Sequence, residues 1–171
     1  MERNSIQSRA MDGKAALWAG FLAGTVFLLL ELLMVPTLGG GTVFGPLRMI
    51  AAILLGPSVL APAAFNIWVL GAALLVHYLL ALLYALIFAV FSTRLEAGAA
   101  LVVGLAGGYL LYLANFYGFT ALFPWFAAAR NGITVFNHLV FGVATVLFYQ
   151  AIQRAHRREV RESAPLIHHH A

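Results

Sequence analysis

Two histidines, His77 and His138, lie within apolar stretches that are long enough to cross a membrane. A polar side chain in hydrocarbon costs roughly 2–4 kcal/mol unless it finds a partner, so such residues indicate functional sites. Glu31 and Asn115 lie in two further apolar stretches. Imidazole with carboxylate suits Zn, Ni or Fe, and imidazole titrates near neutral pH. The sequence therefore predicts a cation site for a proton or for a divalent metal held by His77, His138 and Glu31.

Helical spacing turns Glu31 and Asn115 toward other helices. Glu31 shares a helix face with Gly20 and Gly24, because the three are separated by four and seven residues. Small residues at this spacing mark places where membrane helices approach closely. We therefore expect both polar side chains to point into a bundle. The same spacing recurs at Gly104, Gly108 and Asn115.

The histidine faces are also small or polar, and the four polar residues all have predicted depths in the outer half of the bilayer, with His77 deeper than the other three. From the helical rise, Glu31 and Asn115 lie about 8–12 Å inside the outer ends of their spans and His138 about 9 Å. His77 lies about 16–18 Å inside on the same basis. A cluster in the outer half of the bilayer is thus expected, with Tyr84 beside it. The neighbours on the two histidine faces are Ala73, Ala81 and Tyr84, and Thr134, Gly142 and Thr145.

Each of these residues also has a purely structural explanation. An intramembrane histidine or asparagine can simply hydrogen-bond to a neighbouring helix. Glu31 could be protonated, or it could pair with Arg48 at the outer boundary. Both kinds of interpretation therefore remain open at this point.

The elements that would position these residues are transmembrane helices. Of the 171 residues, 63% are hydrophobic and only 9% are charged, whereas soluble domains have about 25% charged residues. Four segments are long enough for helical spans, each needing about 20 apolar residues. They are approximately 15–38, 65–92, 98–123 and 132–153. The sequence predicts an all-α integral membrane protein with one membrane domain over 15–153.

Basic residues predict the orientation of these spans. Residues 1–14, the turn at Arg94 and the basic tail 154–171 carry eight Lys and Arg residues, whereas the opposite side holds only Arg48 and Arg130. The positive-inside rule then places both termini on the cytoplasmic side of the membrane. The net charge of +4 is explained in this way, so no nucleic acid partner is expected. His168–His170 are assigned no function.

Two connections lie on the outer side. The first, about 37–64, contains an apolar segment from Leu47 to Leu55 that is too short to span. Pro46 is typical of a helix start and Gly56-Pro57 of a helix stop. We therefore predict a short interfacial or re-entrant helix over the outer mouth of the bundle. The second connection, Pro124–Gly132, is shorter.

The chain also looks duplicated. GFLAGTVFLLLE, from Gly20, aligns without gaps on GLAGGYLLYLAN, from Gly104, and HYLLALLYALIF, from His77, aligns on HLVFGVATVLFY, from His138. Repeats of about 15–92 and 98–153 would each contain two spans, so the two helical hairpins would have the same orientation. This is a parallel repeat rather than an inverted one.

The stretch PLRMIAAILLGPSVL, followed by VHYLLALLYALI, resembles a group of small proteobacterial inner-membrane proteins of uncharacterised function. Some members carry the label "sodium:proline symporter". The resemblance covers roughly residues 15–153 and implies that the protein lies in a bacterial inner membrane, with many passes and both termini in the cytoplasm. Symporters of that type use an inverted repeat with many more spans, so this short chain would need an oligomer to line a solute path.

Three functions follow from these patterns. The first is a protein that binds or passes a cation, using Glu31, His77 and His138. The second is a redox protein that interacts with a quinone or holds haem b between His77 and His138, in which Ala81 and Gly142 leave space for the macrocycle. The third is an accessory or assembly subunit of a larger complex, or a homo-oligomer, whose small-residue faces bind partner helices. No nucleophile–base pair or phosphate loop is present, so we expect no classical hydrolase or transferase.

Overall fold

The computed structural model describes residues 11–61 and 64–163. In this part of the chain all regular structure is helical. The five α-helices are α1 (Gly13–Leu38), α2 (Phe44–Leu55), α3 (Ile67–Ser92), α4 (Ala97–Leu113) and α5 (Gly132–Ser163).

The all-α class and the four long apolar helices are confirmed. α1, α3 and α5 are each long and apolar enough to cross a membrane, as is the segment Ala97–Ala121 that begins with α4. These helices are compatible with a multi-pass membrane protein. The last one runs ten residues past the predicted boundary at 153, because its Arg- and Glu-rich continuation consists mostly of good helix formers. Of the predicted tails 1–14 and 154–171, residues 1–10 and 164–171, which include His168–His170, lie outside the described residues.

The short helix predicted in the first connection is present as α2, hereafter the lid helix. It begins at Phe44, before Pro46, and ends at Leu55, where the C-cap Gly56 has a φ of 84° that glycine tolerates well. The lid helix packs on α3. The Trp125 indole also donates a hydrogen bond of 3.0 Å to the Met49 carbonyl, which joins the two connections at this lid end of the bundle.

Small residues determine which helices lie close together. α1 packs against both α3 and α5, and α5 also packs along α4, whereas α3 and α4 touch each other little. A Cβ added at Gly142 would stand 2.1 Å from the Gly104 carbonyl oxygen and 3.0 Å from the Gly108 Cα. A Cβ at Gly20 would stand 2.7 Å from the Ala85 Cβ. These contacts leave no room for larger side chains.

The contact between α4 and α5 is testable with one methyl group. Gly142→Ala should lower the stability of the bundle by about 1–3 kcal/mol, because the added carbon forces the two backbones apart. Thermal unfolding of the purified protein in nanodiscs measures this. Gly98→Ala is the matched control, since its Cβ would meet nothing within 4 Å. Equal unfolding temperatures for the two variants would contradict the observed packing.

At the opposite end, hereafter the tail end, a polar cluster joins three helices around the buried Tyr149. Its hydroxyl lies 2.7 Å from Thr93 Oγ1 and accepts hydrogen bonds from Gln153 Nε2 at 2.7 Å and from the Asp12 amide at 3.2 Å. Asp12 caps α1 through the Ala15 amide, and its other carboxylate oxygen lies 2.7 Å from His156 Nδ1. Burial works to raise the pKa of Asp12, but the hydrogen bonds from Ala15 and His156 outweigh it and hold this pKa below its ordinary value.

This lowered pKa makes stability depend on pH. An Asp carboxylate whose pKa is depressed in the folded state stabilises that state above the unfolded pKa, near 3.9, and loses this effect as pH falls through the folded pKa. Asp12→Asn keeps the helix cap and removes the charge. The variant should therefore unfold at a lower temperature than wild type at pH 6, and the difference should shrink in acid and vanish once pH falls below the lowered folded-state pKa of Asp12. A difference that persists unchanged in acid would contradict this role of the charge.

Candidate functional site

A cavity of about 600 Å³ lies inside the bundle beneath the lid helix. All five helices and both connections contribute side chains to its wall, which is mainly apolar and rich in aromatic rings. Such a volume and lining are typical of sites for small molecules. The phenylalanines that line it are Phe27, Phe116, Phe119, Phe123, Phe126 and Phe141.

Five of the six residues predicted for the site line this cavity. Arg48 is the exception: it lines a separate pocket of about 240 Å³ between the lid helix and the start of α3, and its guanidinium donates to the Ala61 carbonyl. Of the five, Glu31, His77 and His138 are the most buried, with exposed fractions of 8%, 7% and 4%. The residues that come together are Glu31, His77, Tyr84, Asn115 and His138.

A chain of hydrogen bonds joins three of them across α3, α4 and α5. The Tyr84 hydroxyl donates to Asn115 Oδ1 at 3.0 Å, and Asn115 Nδ2 lies 3.3 Å from His138 Nε2. His138 Nδ1 lies 2.8 Å from the Thr134 carbonyl, which can only accept, so Nδ1 carries the proton. Nε2 of the neutral ring then accepts from Asn115. The opposite Asn115 orientation would require a charged imidazole in apolar surroundings.

The local backbone positions Asn115 for this role. α4 does not continue as a regular helix past Leu113 but widens into a π-helical turn, Ala114–Gly118. π-Helical turns re-aim side chains and are frequent at functional sites. Here the turn carries Asn115, whose amide lies between Tyr84 on α3 and His138 on α5.

His77 is held differently. Its Nε2 lies 2.8 Å from the Gly24 carbonyl on α1, so this nitrogen donates and the lone pair of the neutral ring is on Nδ1. Glycine at position 24 allows this approach, since a Cβ there would stand 2.8 Å from the Ala81 Cβ and 3.5 Å from His77 Nε2.

Glu31 has a partner that we did not predict from the sequence. Asn137 Nδ2 donates to Glu31 Oε1 at 2.8 Å, and Asn137 Oδ1 is buried without a hydrogen-bond partner. Asn137 neighbours His138 but lies on another face of α5. The sequence signal that could have identified Asn137 is its polar amide within an apolar span. Among the described residues that line the cavity, Glu31 is the only acid and there is no lysine or arginine.

The surroundings of the histidines bear on metal and haem ligation. The Phe27 ring contacts both imidazoles, with centroid distances of 5.9 Å to His77 and 5.0 Å to His138. A metal at His138 would have to replace the hydrogen bond from Asn115, because that bond uses the ring's lone pair. Within residues 11–61 and 64–163, no three His, Cys, Asp or Glu side chains come together as a metal-binding group.

Comparison with known proteins identifies no relative, since no family model, curated protein or solved structure matches this chain.

The two hydrogen-bond arrangements predict opposite histidine tautomers. In ¹⁵N NMR spectra of histidine-labelled protein at pH 7.5, His138 should carry its proton on Nδ1 and His77 on Nε2. Each bears one proton because each ring has one carbonyl to satisfy. Signals that disappear in His138→Gln and His77→Gln assign the resonances. A proton on His138 Nε2 would contradict the hydrogen bond from Asn115.

Proposed function

We propose that this chain is an inner-membrane protein that binds a cation in the cavity beneath the lid helix, and that the cation is an organic one with an apolar body. The single observation that carries the proposal is the charge of the lining: one carboxylate and no lysine or arginine among the described residues. An ionised carboxylate alone in apolar surroundings is very costly. Glu31 therefore carries a proton or pairs with a bound cation.

The size and aromatic lining of the cavity support an organic cation over a metal ion. A metal ion needs several ligands within about 2–2.6 Å, whereas about 600 Å³ is space for a whole small molecule. Aromatic faces attract organic cations by about 0.5–2 kcal/mol. The two histidines, which we predicted as metal ligands, already have hydrogen-bonding partners that hold their rings in place.

We further propose that the two halves arose by duplication and are parallel hairpins. Supporting this, α1 and α3 meet where Gly20 and Gly24 face Ala81 and Ala85. When the two halves are aligned, these four residues correspond to Gly104, Gly108, Gly142 and Val146. α4 and α5 meet at those corresponding residues. The distribution of arginine supports cytoplasmic termini, and the cavity would then lie on the outer side.

The proposed function is tested with ligands that share one ring system. Purified protein in phosphatidylcholine nanodiscs should bind 1-naphthylmethylammonium more tightly than the neutral 1-naphthylmethanol and the anionic 1-naphthoate, measured by calorimetry at pH 7. A hydrogen bond to a charged group contributes about 1.5–3 kcal/mol. Glu31→Gln should therefore raise the Kd of the ammonium ligand about 10- to 150-fold and leave that of the alcohol nearly unchanged.

The matched control for this experiment is Glu96→Gln, which makes the same chemical change at an exposed position in the turn between α3 and α4. It should bind as wild type does. Equal affinity of wild type and Glu31→Gln for the ammonium ligand would disprove the cation site. Stoichiometric zinc, nickel, iron or haem in the purified protein, lost with His77→Gln and His138→Gln, would support the metal or haem alternatives instead.

A further inference from the structure

The hydrogen bonds within the cavity determine what its polar groups still offer to a ligand. Tyr84 uses its proton on Asn115, so its oxygen can only accept a further bond. His77 uses its Nε2 proton on Gly24, so its Nδ1 can only accept. A Glu31 carboxylate only accepts, and one of its oxygens already does so from Asn137.

The polar groups of α1 and α3 that line the cavity therefore present acceptors to its interior. Both His138 nitrogens are engaged, so the donors that also line the cavity among the described residues are the second amide hydrogen of Asn115 and the side chains of Thr42 and Asn131, which are exposed residues of the two connections. With Glu31 ionised, a ligand that brings only acceptors, such as a quinone or a carboxylate, would find no donor at Glu31, His77 or Tyr84. A ligand that brings donors would satisfy them.

The geometry points to a protonated primary amine on an apolar body as the ligand, with the ammonium group at the Glu31 carboxylate and its other hydrogens available to the acceptors. This inference rests on the proposed function and names the substrate class of the same site. An ammonium group has three N–H donors and no acceptor. A quaternary ammonium has the same charge and no donor, so it would leave buried acceptors unpaired.

A cavity that recognises only charge and aromatic surface and a cavity that recognises N–H donors should bind primary and quaternary ammonium ions in opposite orders of affinity. Methylation makes an ammonium ion less strongly hydrated, so a cavity that recognises only charge and aromatic surface binds the trimethyl ion at least as tightly as the primary one. A cavity that recognises N–H donors shows the reverse. The Phe27 ring, which contacts both histidines, is the aromatic surface that the first kind of recognition would use.

The experiment measures binding of 1-naphthylmethylammonium, its N,N-dimethyl derivative and its N,N,N-trimethyl derivative to the full chain in phosphatidylcholine nanodiscs at pH 7. Wild type should bind the primary ion at least tenfold more tightly than the trimethyl ion, with the dimethyl ion between them. The uncharged compounds 1-ethylnaphthalene and 1-neopentylnaphthalene have the shapes of the primary and trimethyl ions. The difference between their affinities measures the effect of size alone, and it is subtracted from the difference between the two ions.

Two outcomes overturn the inference, and they differ from failure of the proposed function. If the trimethyl ion binds as tightly as the primary ion and Glu31→Gln weakens both, the cation site stands and the donor requirement is wrong. Phe27→Leu would then weaken all three ligands, whereas donor recognition predicts less than a threefold change. If Glu31→Gln alters no affinity in the series, the cation site itself is disproved. Because the order of affinities among the three ions is measured on wild type, the test of the donor requirement does not depend on whether a variant folds.

Discussion

The structure depends above all on the cost of leaving a polar group unpaired in apolar surroundings, where no water is available to replace a lost hydrogen bond. Nearly every buried polar side chain that we describe has a partner on another helix or on the turn preceding it. Asn137 Oδ1 is the exception among the described residues. Its amide nitrogen bonds to Glu31, so this unpaired atom lies next to the carboxyl group that lines the cavity.

Close helix packing and the cavity have a common origin in the distribution of small residues. Alanines and glycines let α1 lie against both α3 and α5, and glycines let α4 lie against α5. α3 and α4, which touch each other little, instead leave a gap. The hydrogen bond from Tyr84 to Asn115 crosses this gap, and the lid helix covers the space that remains. The cavity therefore arises because the bundle packs tightly on one side and loosely on the other.

Most of the helical architecture could be predicted because it follows from composition and period. Apolar runs gave the four long helices, and Gly56-Pro57 correctly marked the end of the lid helix. Spacing on helix faces also selected Glu31, His77, Asn115, His138 and Tyr84, all of which line one cavity. Helix faces alone do not specify which helices are neighbours. For this reason the partner of Glu31 was missed, since Asn137 becomes its neighbour only when α1 packs against α5.

The same limit explains why the chemistry of the histidines could not be predicted. Whether an imidazole offers a lone pair depends on which carbonyl lies beside its other nitrogen, and this differs between His77 and His138 although their sequence positions match. The π-helical turn at Asn115 also had no sequence signal that we recognised. The hydrogen bonds that hold the two rings therefore depend on details that the sequence positions do not specify.

Under the proposed duplication, the position of Glu31 corresponds to Asn115 in the second half, and the difference between them has a physical consequence. Each residue bonds to the opposite half: Glu31 to Asn137, and Asn115 to Tyr84. The positions aligned with these partners are Val76 and Thr145, so neither bond is repeated. Two carboxylates facing one apolar cavity would repel each other unless one were protonated. An asparagine at the second position keeps the hydrogen-bonding capacity and leaves one negative charge, so each chain would hold a single monovalent cation.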